Sequence, residues 1–163
     1  DFTRHFGRNR QLIGYQELAA VLEKDKVQVE RGDMLVLRTG FAEVISEMAG
    51  QPDAEKLHHV CSVLDGADEQ LLNWISDSGI VAICADNYAV EAYPARQREG
   101  KKSLLPLHHH CLFKLGLPLA ELWYLKDLAE ALHGMNRNRF LLTAPPLRLP
   151  GAVGSPVTPI ATI

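Results

Sequence analysis

Three of the seven histidines stand in one run, His108, His109 and His110, within Leu105-Pro-Leu-His-His-His-Cys-Leu-Phe-Lys-Leu-Gly-Leu-Pro-Leu-Ala-Glu-Leu-Trp123. Twelve or thirteen positions past the first two comes a single carboxylate, Glu121, set among apolar residues. Imidazole and carboxylate are the groups from which hydrolytic zinc and manganese sites are built. A lone Glu in an apolar segment costs free energy unless something compensates its charge. This stretch is the first place to look for chemistry. It is not enough for a metal on its own, because a catalytic zinc takes three protein ligands and the segment offers about two.

Other residues could contribute. Asp86, Asn87 and Glu91 follow the apolar run Ile80-Val-Ala-Ile-Cys-Ala85, at the carboxyl end of a strand, where α/β proteins place their sites. They are candidates for substrate binding, and equally for turn-making and helix capping. His58 and His59 are adjacent, so their side chains diverge in any regular element and they read as surface histidines. Residues 94–103 form the most polar, basic loop in the chain; it could hold an anion, and a solvated loop is the simpler reading. Cys61, Cys84 and Cys111 are an odd, sparse set without C-x-x-C spacing, which suits buried thiols in a reducing compartment.

The elements that must position these groups are legible in part. Residues 15–23 carry Leu18, Val21 and Leu22 on one helical face. Met34-Leu-Val-Leu-Arg-Thr39 follows a Gly-Asp turn and reads as a strand buried on both faces. Residues 41–49 suit a second helix, and residues 50–67 read as mixed loops. From Asp68 the pattern predicts a helix, with acids in its first turn and Gly79 just past its end. Helix, glycine, apolar strand and polar residues then succeed one another in α/β fashion. Residues 103–115 read as a helix or helix plus turn stopped at Gly116, residues 121–133 as an amphipathic helix, and residues 140–143 as a last strand. Residues 1–10 read as an entering loop. The Pro- and Gly-rich tail excludes a helix. No repeat, dinucleotide fingerprint, P-loop, H-E-x-x-H or G-x-S-x-G motif occurs.

At 163 residues, 47% apolar and with mean hydropathy -0.07, the chain makes one domain with a real core. Net charge -3 and a pI near 6.2 give no electrostatic reason to expect nucleic acid or an anionic membrane. No apolar run approaches the roughly 18–20 residues of a membrane span, and no signal peptide is visible. Cytoplasm is the default location. The chain opens at Asp1 without an initiator Met, which we read as the back part of a longer polypeptide.

Four segments together carry a family resemblance: Arg31-Gly-Asp-Met-Leu-Val-Leu-Arg-Thr-Gly-Phe41, Ala85-Asp-Asn-Tyr-Ala-Val-Glu91, Pro106-Leu-His108 through Gly116 to Glu121-Leu-Trp123, and the tail Pro145-Pro-Leu-Arg-Leu-Pro-Gly-Ala-Val-Gly-Ser-Pro-Val-Thr-Pro-Ile-Ala161. In this order and spacing the chain resembles the C-terminal half of the cyclase family that includes bacterial kynurenine formamidases and isatin hydrolases. The resemblance implies an α/β fold, a swivelling β/β/α-type three-layer domain with a mixed sheet, spanning residues 1–163 and incomplete at the N-terminus. It also implies metal-dependent hydrolysis of an amide, with zinc or manganese as the divalent metal. The family's metal motif, His-x-Gly-Thr-His-x-Asp and a further His, does not occur here and is expected upstream of Asp1, with most of the ligands.

What carries over is a His and, twelve or thirteen residues on, a Glu beside the metal. Glu121 takes the second role. The Pro-Leu-His lead-in selects His108, which we prefer, whereas counting back from Gly116 selects His109; His110 fits least. The metal candidates are thus His108, His109 and Glu121, and the catalytic candidates His108 and Glu121. Metal-activated water would attack the amide, Glu121 would ligate the metal or accept the water's proton, and His108 would ligate or protonate the leaving nitrogen. Arylformamides such as N-formylkynurenine are the first substrate guess, cyclic amides or lactones the next, and a homo-oligomer is expected. A non-catalytic subunit lacking the metal centre is the alternative, and an unrelated α/β domain with structural histidines a third.

Overall fold

The computed structural model describes residues 1–97, 100 and 103–163. Contacts gather into two units, residues 1–126 and 127–163, each built as follows. Among the described residues no helix is long and apolar enough to cross a membrane.

The first unit is α/β, and its strands are short and parallel. A three-stranded sheet has the order β2 (Met34–Leu37), β4 (Ala82–Ala85), β5 (Leu119–Ala120), with Leu35 opposite Ile83 and Leu37 opposite Ala85. A two-stranded sheet pairs β1 (Gln11–Ile13) with β3 (Ser62–Leu64). Parallel pairs need crossovers, and these come from α2 (Tyr15–Lys24), α3 (Phe41–Glu47), α4 (Ala54–His58) and α5 (Glu69–Ser78), after a single-turn α1 (Thr3–Phe6). Leu18 and Val21 of α2 and Leu71 and Ile75 of α5 join Ile13, Leu35, Leu64 and Ile83 in one core.

One carboxylate starts both packed helices. Asp68 accepts the Gln70 N–H through Oδ1 at 2.8 Å, capping α5, and the Tyr15 N–H through Oδ2 at 2.7 Å, at the first residue of α2. Gly79, at φ +72°, ends α5 in the left-handed conformation that glycine adopts without penalty. After β4 the chain runs through an irregular loop to α6 (Pro106–His108), which continues as a π-helical segment, His109–Leu115. Gly116, at φ +64°, stops it. A seven-residue π-helix is uncommon and such segments recur at functional sites.

The second unit holds α7 (Lys126–Gly134) and an antiparallel pair, β6 (Leu141–Thr143) with β7 (Ile160–Thr162), in which Leu142 faces Ala161. The Pro- and Gly-rich tail is therefore the connection and second strand of this pair. Among the described residues the parallel strand pairs and the antiparallel β6–β7 pair lie in three small sheets.

Several local expectations differ from what is observed. Residues 1–10 contain α1, and residues 50–67 contain α4 and β3. β2 is buried on one face only: Leu35 and Leu37 are inside while Met34 is exposed. Residues 121–133 do not make one helix. Leu122 has φ +59° and donates its N–H to the Asn87 carbonyl at 3.1 Å, and the Trp123 N–H donates to the Ala85 carbonyl at 3.2 Å. The chain here runs beside the end of β4, with Trp123 buried and Leu122 exposed, so the apparent helical stripe is out of phase until Lys126.

Candidate active site

His108 stands between two carboxylates. Its Nδ1 lies 2.9 Å from Oε1 of Glu91, and its Nε2 lies 3.1 Å from Oε1 of Glu121. Side-chain exposure climbs along this line, from 0% at Glu91 to 20% at His108 and 33% at Glu121. The buried end is therefore closed by protein, and the Nε2–Glu121 end is the one a reactant can meet.

Electrostatics follow from that geometry. Both partners are acceptors, so the ring satisfies both contacts fully only as imidazolium, donating from each nitrogen. The hydrogen bond to Glu121, then that to Glu91, pushes the His108 pKa up to about 9, against the opposing effect of burial. The same bond from His108 holds Glu121 below its ordinary carboxylate value, with help from the Ala89 backbone N–H.

The loop after β4 carries Glu91, and Glu121 directly follows β5. Asp86, at the carboxyl end of β4, accepts the Thr39 N–H and hydroxyl and the Gly40 N–H, each at 2.7 Å, tying the end of β4 to that of β2. Burial raises its pKa, and those hydrogen bonds oppose the rise. Asn87 donates its amide to the Ser62 and Val90 carbonyls at 3.3 and 3.4 Å. Asp86 and Asn87 are thus turned into the fold, 0% and 1% exposed. Glu91 is buried as well, behind His108 rather than in front of it.

The remaining candidates separate cleanly. His109 is exposed and stacks on Phe113, ring centroids 5.3 Å apart. Nε2 of His110 meets the Ser76 hydroxyl at 2.8 Å, and burial lowers its pKa. Of the three histidines, His108 is the one that hydrogen-bonds Glu121. His58 and His59 are exposed, bonded to the Tyr88 hydroxyl and the Glu55 carbonyl. The three cysteines are free and buried; burial pushes Cys61 and Cys84 up to about 11 and Cys111 to about 12, which leaves them thiols. In the basic loop, Arg96 donates Nε and Nη2 to Asp65 at 2.9 and 2.6 Å; residues 98, 99, 101 and 102 of that loop lie outside the described residues.

Two contributors were invisible in sequence. Gly66 packs against the Glu91 carboxylate so closely that a Cβ would overlap Oε2. Ala89, whose backbone helps to lower the Glu121 pKa, and Val90 both have left-handed backbone, φ +63° and +55°. Neither residue type signals such a role.

Comparison with known proteins gives the chain a family. The family described as "Putative cyclase" matches residues 1–92. The chain belongs to the cyclase family. No curated protein matches it. A crystal structure of a novel cyclase is 30% identical, with TM-score 0.75 over 94% of this chain and 47% of its own. A protein described as a potential metal-dependent hydrolase with cyclase activity shares the fold at 16% identity, TM-score 0.58, over 94% of this chain and 62% of its own. The chain thus spans about half the length of the first of these cyclase-type structures and under two thirds of the second. The matched family segment ends one residue past Glu91 and does not include His108 or Glu121.

A divalent metal does not fit the described residues of this chain by themselves. Among them, no group of three or more His, Cys, Asp and Glu side chains is placed to hold an ion. Both ring nitrogens of His108 face carboxylate oxygens. The three side chains instead hydrogen-bond one another through the ring of His108.

Proposed function

We propose that this chain contributes the acid–base residues of a hydrolase that cleaves an amide C–N bond. The observation that carries the reading is His108, held between buried Glu91 and half-exposed Glu121, with its Nε2 toward the accessible side. Glu121, an ionised carboxylate, accepts a proton from a water as its oxygen attacks the amide carbonyl carbon. His108, an imidazolium at neutral pH, donates its Nε2 proton to the nitrogen as the C–N bond breaks, so the products are a carboxylic acid and an amine. Glu121 then returns its proton across the 3.1 Å contact to His108, restoring both groups.

The substrate class is an arylformamide such as N-formylkynurenine, or a cyclic amide. Support for this is the family membership and the sequence resemblance to the formamidases and isatin hydrolases. A divalent metal, zinc or manganese, belongs to the same proposal, supported by the description of the fold relative as a metal-dependent hydrolase. When bound, such an ion supplies Lewis-acid polarisation of the carbonyl and an acidified water. We extend the proposal to a homo-oligomer working in the cytoplasm.

A second reading, a non-catalytic subunit, is favoured by one observation: the described residues gather no three-donor group. Assay of the purified protein with formanilide and a cyclic amide, with and without added zinc or manganese, separates the two. Hydrolysis lost in His108→Asn and Glu121→Gln supports the hydrolase. A folded wild type inert under every condition supports the subunit.

A further inference from the structure

We infer that Glu91 is a positioning residue that fixes the His108 ring by holding its Nδ1–H, and that Gly66 and the Ala89–Val90 turn serve to seat it. For its catalytic consequence this rests on the hydrolase reading above; its geometry does not. Glu91 is fully buried, and its donors all come from one short segment. Oε1 accepts the His108 backbone N–H at 2.9 Å and faces Nδ1 of the same residue at 2.9 Å, while Oε2 accepts the Leu107 N–H at 3.0 Å. The carboxylate thus grips both the backbone and the ring of one histidine. A buried carboxylate is costly unless fully hydrogen-bonded, so removal of the Nδ1–H is resisted.

The surroundings are shaped for this one carboxylate. Gly66 leaves the volume that Oε2 fills, and any side chain there would displace it. Ala89 and Val90 both take left-handed backbone, which a β-branched residue rarely adopts. That turn lets the Val90 carbonyl accept the Leu64 N–H at 3.1 Å and the Ala92 N–H reach the Leu64 carbonyl at 2.9 Å, which clamps Glu91 to β3 from both sides. Strain of this kind persists where the surroundings over-determine it, commonly beside a site.

Glu91 thereby fixes which nitrogen of neutral His108 keeps its proton. Glu121 is half-exposed and water can replace a lost donor there; Glu91 is sealed and has no such replacement. Neutral His108 is therefore the Nδ1–H tautomer, the reverse of the form free imidazole prefers. Long-range 1H–15N spectra of histidine-labelled protein at about pH 10, with His108 assigned through His108→Asn, read this directly. The expected wild-type signal is Nδ1–H, moving to Nε2–H in Glu91→Ala and Gly66→Ala and retained in the isosteric Glu91→Gln, which can still accept. In formanilide hydrolysis, kcat falls about 10–100-fold in Glu91→Ala with KM little changed, and Glu91→Gln recovers part of it. An Nε2–H signal in the wild type overturns the inference, as does an Nδ1–H signal surviving in Glu91→Ala. An inert wild type with the expected tautomer removes the hydrolase reading and leaves the positioning role standing.

Discussion

At the scale of single residues, the site is three side chains in a line with one accessible end. Glu121→Gln keeps the shape and removes the base, and His108→Asn removes the acid. Each is expected to lower kcat by about 10²–10⁴-fold, the usual worth of a positioned proton donor or acceptor, with far-UV circular dichroism unchanged. Stability carries a matching signature. The folded-state pKa of His108 lies near 9, above the ordinary 6.5, because Glu121 and Glu91 favour the imidazolium. The stabilisation is therefore complete below about pH 6.5 and is lost as pH rises through about 9. Glu121 has the opposite sign: its pKa is lowered by the same bond, so its contribution is present above the ordinary carboxylate value and fades as pH falls below it. Urea midpoints measured from pH 5 to 10 should fall on the alkaline side in the wild type and stay flat there in His108→Asn. An alkaline fall of equal size in both would place the titrating group elsewhere.

At the scale of elements, the helices depend on a few caps and the strands on each other. Asp68→Ala removes the acceptor for the Gln70 and Tyr15 N–H groups and is expected to cost about 1–2 kcal/mol, read as a lower urea midpoint at unchanged slope. The cap and Gly79 are also why α5 was legible: start signal, apolar stripe and stop agree. β4 was legible because its burial leaves an apolar run in the sequence. β1 and β3 were not, since each is three residues long and takes its register from the partner strand. The error at Glu121 has the same root. Leu122, Leu125, Leu128 and Leu132 mimic a helical stripe, but the backbone of residues 122–123 is held by the Asn87 and Ala85 carbonyls, long-range bonds that no local pattern reports. The histidine–glutamate pairing was legible through types and spacing. Glu91 was noticed for its place after a strand, yet its side chain faces Leu107 and His108 from behind, and only the fold of residues 86–91 shows that. Gly66 gave no signal at all.

At the scale of the whole molecule, the two units differ in what holds them. The first has an extensive buried core. In the second, Leu132 is buried while Leu141 and Ile160 of the β6–β7 pair are more than half exposed. Stability follows buried apolar contacts, so amide protons of β6 and β7 are expected to exchange faster than those of β4. Hydrogen exchange with mass spectrometry checks this, and equal protection would show a covered ribbon in solution. The acid–base line sits in the well-packed unit, and its three side chains hydrogen-bond one another without an ion. Metal and fold should therefore be separable. If the hydrolase needs zinc or manganese, a chelator lowers formanilide hydrolysis at least tenfold, added metal restores it, and the thermal midpoint shifts little, because Glu91 and Glu121 keep their hydrogen bonds with His108 when the ion goes. Full activity after exhaustive chelation would remove the metal from the proposal and leave the His108–Glu121 relay as the chemistry. A collapse of the midpoint on chelation would mean instead that an ion is structural, contrary to the hydrogen bonding of His108 with Glu91 and Glu121.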